Sequence, residues 1–196
     1  MQLYGSITSP YVRRLRIFMH EMPYDFVQLD IFKPEDRALI ASVNPTLKIP
    51  MLKDVIKGKE QIILDSRLIY QYLQKKNQLA ELSWDQENVM TSIDAANDSL
   101  VQMFILSRSQ IDVSEDKLYF TVQRERIDVI FVELNKQAIA GEFEVWHYLS
   151  MCLFCLLDWV SFRNLYDFSE HTALVELYDS WQQLAICHQT DPRHAT

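Results

Sequence analysis

Residues 44–66 read NPTLKIPMLKDVIKGKEQIILDS and hold two strand-like runs, Pro50-Met51-Leu52-Lys53 and Gln61-Ile62-Ile63-Leu64, on either side of a loop containing Gly58. Such a pair predicts a β-hairpin. Upstream, Pro34-Glu35-Asp36 starts a short helix that must stop before Asn44-Pro45, because the residue preceding a proline is pushed away from helical dihedrals. Downstream, a helix runs over about 66–76 and carries Leu68, Ile69, Tyr72 and Leu73 on one face. Toward the N-terminus, Phe26-Val27-Gln28-Leu29 and Gln2-Leu3-Tyr4 read as strands. Between them Ser9-Pro10 opens an amphipathic run in which Val12, Leu15, Phe18 and Met19 recur at helical spacing. The predicted order of this part is βαβαββα.

The rest of the chain uses a different backbone vocabulary. Five of the six prolines lie at or before Pro50, the sixth is Pro192, and the only glycine after Gly58 is Gly141. Both residues are costly inside helices, so their scarcity predicts a helical region. Its helices are expected at Trp84 to about Ser107, from near Ser114 with Ile127, Ile130, Phe131, Leu134 and Ala138 on one face, at Val145 to about Phe162, and at Thr172 to about Ala185 before a polar tail. The third is apolar nearly all round and should be the buried centre. The expectation is an α+β protein: a mixed domain over 1–77 and an all-α bundle over 83–196.

Composition narrows the function. With 48% hydrophobic and 23% charged residues the chain has enough apolar surface to fold. Its longest apolar run, Met151 to Leu157, is far short of the roughly 18 to 20 residues of a membrane span. The N-terminus shows no basic segment feeding an apolar stretch, so a cytoplasmic location and no membrane partner are expected. A net charge of −8 argues against nucleic acid as a partner. That average hides an asymmetry: residues 1–79 hold 12 basic and 8 acidic side chains, residues 80–196 hold 7 and 19. The Arg13-Arg14-x-Arg16 cluster reads as a solvated helix face. Cys152-x-x-Cys155 lies among Leu153, Phe154, Leu156 and Leu157, which suits core packing better than redox or zinc chemistry. Glu144-x-x-His147 lacks a second ligand pair, and no metal site is expected.

Three motifs carry a resemblance: Ser9-Pro10-Tyr11-Val12-Arg13-Arg14 at the first helix, Asn44-Pro45 ahead of Lys48-Ile49-Pro50, and Asp65-Ser66 at the third helix. With this element order, the chain resembles a cytosolic glutathione S-transferase of the bacterial type, with serine at the first-helix position. The resemblance covers the whole chain in layout, but its motifs lie within residues 1–76. It implies a thioredoxin-like first domain, glutathione as co-substrate, and a homodimer in which the first domain of one subunit meets the helical domain of the other. The opposite net charges of the two parts agree with such a pairing.

The resemblance also implies roles. Glutathione carries two carboxylates, an ammonium and a thiol, and a helix N-terminus suits an anion because its first amides lack internal partners. Ser66 is expected at the γ-glutamyl carboxylate and Asp65 near the ammonium, although Ser66 could equally cap its helix. A cis bond before Pro50 would let Ile49 offer its N–H and C=O to the cysteinyl backbone, as an added strand does. Lys33 and Lys48 are expected at the glycyl carboxylate. Ser9 occupies the place of the first cysteine in the thioredoxin C-P-Y-C motif. Its hydroxyl can favour the thiolate of glutathione, or cap the first helix, or both. Ser6 and Thr8 are nearby substitutes. Two departures stand out: Leu47 where the family commonly has glycine, and Glu144 and His147 where it commonly has a Ser/Thr-x-x-Asp capping box. The expected function is a glutathione-dependent transferase acting in detoxification on a small hydrophobic electrophile or a peroxide. The alternative is a noncatalytic binding or regulatory protein of the same fold.

Overall fold

The computed structural model describes residues 1–194 and divides into two compact units, one of residues Met1–Glu81 joined by the tail from Gln189, the other Leu82–His188. In the first unit the elements follow the predicted order: β1 (Gln2–Gly5), α1 (Pro10–Phe18), β2 (Asp25–Gln28), α2 (Pro34–Val43), β3 (Met51–Ile56), β4 (Lys59–Leu64) and α3 (Ser66–Lys76). The sheet order is β2-β1-β3-β4, with β1 parallel to β2 and antiparallel to β3, and β3 antiparallel to β4. This is the thioredoxin-like arrangement.

The hairpin is longer than its apolar runs suggest, because the turn needs only two residues. Lys57 and Gly58 both have positive φ, 51° and 77°, the left-handed geometry of a tight hairpin turn, so pairing continues out to Ile56 and Lys59. Strand alternation sorts the sheet into two faces. Tyr4, Met51, Ile62 and Leu64 join Leu29 and Ile40 in a cluster under α2. On the other face, Gly5 permits α1 to approach β1: a Cβ there would come within 2.4 Å of Val12 Cγ2. On that face too, the nearly buried Asp54 of β3 accepts hydrogen bonds from the Tyr72 hydroxyl at 2.6 Å and from Lys76 Nζ, both on α3.

The second unit contains α4 (Trp84–Arg108), α5 (Leu118–Ile139), α6 (Tyr148–Arg163), α7 (Thr172–Gln182) and the short α8 (Ala185–Gln189). A capping box starts α4: the Ser83 hydroxyl accepts from the Gln86 amide and the Gln86 side chain from the Ser83 amide. Helix α5 begins four residues later than expected, since the Asp112 carboxylate binds the Ser114 amide and hydroxyl at 2.9 and 2.6 Å and closes a turn instead. Helix α6 begins at Tyr148, with Val145 outside it and exposed. Its N-cap is His147, whose Nδ1 accepts from the Ser150 amide at 3.4 Å, so a ring nitrogen does the work of the missing capping box. Every residue from Tyr148 to Val160 is buried, Cys152 and Cys155 included. The expected central helix is thus present.

Burial alone would push the Asp54 carboxyl upward, but hydrogen bonds from Lys76, Tyr72 and the Val55 amide outweigh it and hold the group below its usual 3.8. The same contact pushes Tyr72 up to about 12, through burial and then the bond to Asp54. A carboxylate depressed in the folded state stabilises at pH above its unfolded value, and that contribution is lost as pH falls through the folded one. The difference in urea unfolding free energy between wild type and Asp54→Asn is therefore expected to be largest at pH 6 and to shrink toward pH 3. A difference independent of pH would remove Asp54 from the acid response.

Candidate functional site

Strand register gathers the predicted residues. Met51 opposes Tyr4 on one side and Leu64 on the other, so the end of β1, the start of β3 and the end of β4 meet at one edge of the sheet. The loop leading to Ser9 leaves from β1 there, Ile49-Pro50 enters β3 there, and Asp65-Ser66 leaves β4 there. Because β2 runs parallel to β1, Lys33 follows at the same end, as N-cap of α2. The Ile49–Pro50 bond is cis.

Ser9 is the N-cap of α1, with its Oγ accepting from the Val12 amide at 3.4 Å. That bond uses an oxygen lone pair. The hydroxyl proton has no acceptor among the described residues, so it is available to a neighbouring atom. Ser6 and Thr8 differ, because their hydroxyls pair with each other at 3.1 Å.

At α3 the cap is Asp65, whose carboxylate accepts from the Arg67 amide at 2.8 Å. Ser66 is the first helical residue and is buried, so capping does not explain its hydroxyl. Instead Ser66 Oγ accepts from the guanidinium of Arg14, 2.5 Å away. Arg14 is 1% exposed and lies 5.2 Å from the centre of the Tyr11 ring. A positive charge thus stands behind the N-terminus of α3, beside a dipole of the same sign.

This corrects the reading of Arg13-Arg14-x-Arg16 as a solvated face. Arg13 is buried too and donates through Nε to Thr190 Oγ1 at 3.3 Å, binding the C-terminal tail. Arg16 is half-buried and covers the Phe26 ring at 4.7 Å. No spacing rule reveals these partners, which lie 177 residues away for Arg13 and 52 for Arg14. Only the density of arginines on an otherwise apolar helix hints at them.

The loop before Ile49 is held by Asn44. Buried itself, it donates to the Lys48 carbonyl at 2.7 Å and accepts from the Thr46 amide and hydroxyl at 2.9 and 2.8 Å. Lys33 and Lys48 are exposed, and neither forms an ion pair among the described residues. The site therefore offers two helix N-termini, an uncommitted hydroxyl, a buried guanidinium and two lysines at one sheet edge. That is a surface suited to a peptide-like molecule with more than one carboxylate.

Residues 3–81, which span nearly all of the first unit's continuous segment, match the family model of the glutathione S-transferase N-terminal domain. The fold of the whole chain is that of solved glutathione S-transferases. It is similar to one from Methylobacillus flagellatus KT with glutathione bound, at 21% identity and a TM-score of 0.81, covering 97% of this chain and 98% of that one. A glutathione transferase family member from Pseudomonas fluorescens Pf-5 with bound glutathione gives 23%, 0.79, and 97% and 98%. A maleyl pyruvate isomerase described as a bacterial glutathione S-transferase in Zeta class gives 15%, 0.75, and 100% and 98%. A search of curated proteins finds no match.

Leu47 has a φ of +56°, the left-handed region where an L side chain costs about 1–2 kcal/mol, and its side chain is 57% exposed. This is the physical reason a glycine suits the position. Glycine loses more chain entropy on folding, about 0.5–1 kcal/mol, so Leu47→Gly is expected to stabilise by about 0.5–1 kcal/mol in urea unfolding. A loss of stability would mean the leucine side chain makes contacts worth more than its strain.

Proposed function

We propose that this chain is a glutathione-dependent transferase. The observation that carries the reading is the pair of helix N-termini held at one sheet edge, α1 with Ser9 and α3 with Ser66 braced by Arg14. In it, the γ-glutamyl carboxylate of glutathione lies against the Ser66 hydroxyl and the first amides of α3, with Asp65 toward the ammonium. The cysteinyl backbone pairs with the N–H and C=O of Ile49, beside Pro50. Lys33 and Lys48 hold the glycyl carboxylate. Ser9 donates its hydroxyl proton to the sulfur, and together with the dipole of α1 it favours thiolate over thiol. The thiol proton leaves to solvent; the thiolate then attacks either an electrophilic carbon, forming a thioether as the leaving group departs or a π bond opens and takes up a proton, or a peroxide oxygen, breaking the O–O bond to release alkoxide or hydroxide and leaving glutathione as its sulfenic acid. The chain works as a homodimer in this reading, supported by the opposite charges of its two parts.

Ser66→Ala removes a hydroxyl bonded to a charged group, a loss of roughly 1.5–3 kcal/mol. Calorimetry is expected to show glutathione affinity reduced about ten- to a hundredfold. Equal affinities would take Ser66 out of the site, and no binding by wild type would overturn the reading.

Ser9→Ala loses the hydroxyl and keeps the helix dipole. Turnover is expected to fall about ten- to a thousandfold with little change in glutathione affinity. In an ultraviolet titration the bound thiol should ionise at higher pH in the variant than in wild type. Coincident titrations would leave Ser9 as a helix cap and favour the noncatalytic alternative.

A further inference from the structure

Residues 80–196 hold 7 basic side chains among 19 acidic ones, and most of the basic groups have found oxygen partners. Lys117, Lys136 and Arg193 pair with carboxylates, Arg124 donates to the Val113 carbonyl, and Arg126 donates to Ser99 Oγ and Gln123 Oε1. Arg163, in the last turn of α6, is different. Its Nε is buried without an acceptor, and the side chain forms no hydrogen bond or ion pair among the described residues. Nor does it cap its helix, because the Val160 and Ser161 carbonyls are taken by the Leu165 and Asn164 amides at 2.9 and 3.2 Å.

The guanidinium packs on phenyl rings instead. Its carbon lies 4.3 Å from the centre of the Phe162 ring and 5.2 Å from that of Phe104 on α4. Phe104 meets Trp159 edge-on at 5.7 Å, and the guanidinium of Arg108, in the last turn of α4, lies 5.9 Å from its centre. Two cations therefore share one ring. Burial first, and then the charge of Arg108, push the Arg163 group below its usual pKa. A methionine would cover the same rings without taking a charge out of water.

The surroundings define what would neutralise the pair. A polyanion would be repelled by the excess of carboxylates in this half of the chain, so the ligand is small and carries a single negative charge. The guanidinium fork matches a planar carboxylate through two parallel bonds. The rings beside it suit an aromatic body attached to that carboxylate. We propose that Arg163, with Arg108 beside it and Phe104 and Phe162 flanking it, forms a binding site in the helical unit for a small aromatic carboxylate. The proposal does not depend on the glutathione reading.

The test is a fluorine NMR titration of the full chain, without glutathione, using 4-fluorobenzoate and its uncharged counterpart 4-fluorobenzamide. Wild type should bind the benzoate about tenfold or more tightly than the benzamide. Arg163→Met, which keeps the length and removes the charge, should weaken benzoate binding about tenfold or more. Arg163→Lys, which keeps the charge and loses the fork, should fall between the two, and Arg108→Gln should cost about threefold. Benzoate should raise the urea midpoint of wild type and leave that of Arg163→Met unchanged. Ser66→Ala should bind benzoate as wild type does, which separates this site from the carboxylate subsite proposed at α3. No binding by wild type at millimolar benzoate, equal affinity for acid and amide, an affinity indifferent to Arg163→Met, or one lost in Ser66→Ala would each overturn the proposal.

Discussion

The simultaneous pairing of Met51 with Tyr4 and with Leu64 is the constraint on which the first unit depends. It fixes the register of three strands at one point, and a slip of one residue at either pairing would turn the apolar cluster under α2 toward the opposite face. The same register sets where the loops leave the sheet. Ile49, Asp65 and the segment ending at Ser9 meet at one edge because their strands are locked there, which is how residues far apart in sequence come to share a site.

Much of this was legible in the sequence. The proline and glycine distribution separates a mixed region from a helical one, and periodicity places the strands and most helices within a few residues. The errors have local causes. The starts of α5 and α6 shifted because short polar side chains and a histidine ring compete for the backbone amides ahead of the apolar run. The burial of Arg13 and Arg14 could not be read, since a guanidinium is buried only where a distant segment supplies its acceptor.

At Ser9 and Ser66, structure and chemistry draw on different atoms. The cap bond at Ser9 and the Arg14 bond at Ser66 each take an oxygen lone pair, while an interaction with a ligand sulfur or carboxylate takes a hydroxyl proton. The backbone nearby is under tension. Asp65, like Leu47, has positive φ, at +68° and +56° respectively, and neither is glycine. Strain of this kind persists only where the surroundings over-determine the geometry. Here Asn44 clasps one loop, and the Asp65 cap with the Arg14–Ser66 bond holds the other.

The tail from Gln189 belongs with the first unit, through the bond from Arg13 to Thr190. During synthesis on the ribosome, the first unit's sheet and helices emerge long before that partner exists. The bond from Arg13 to Thr190 therefore cannot form until more than a hundred residues of the helical unit have been made. That bond closes only after the helical unit has been synthesised, which ties this part of the α1 framework to a late step of chain growth.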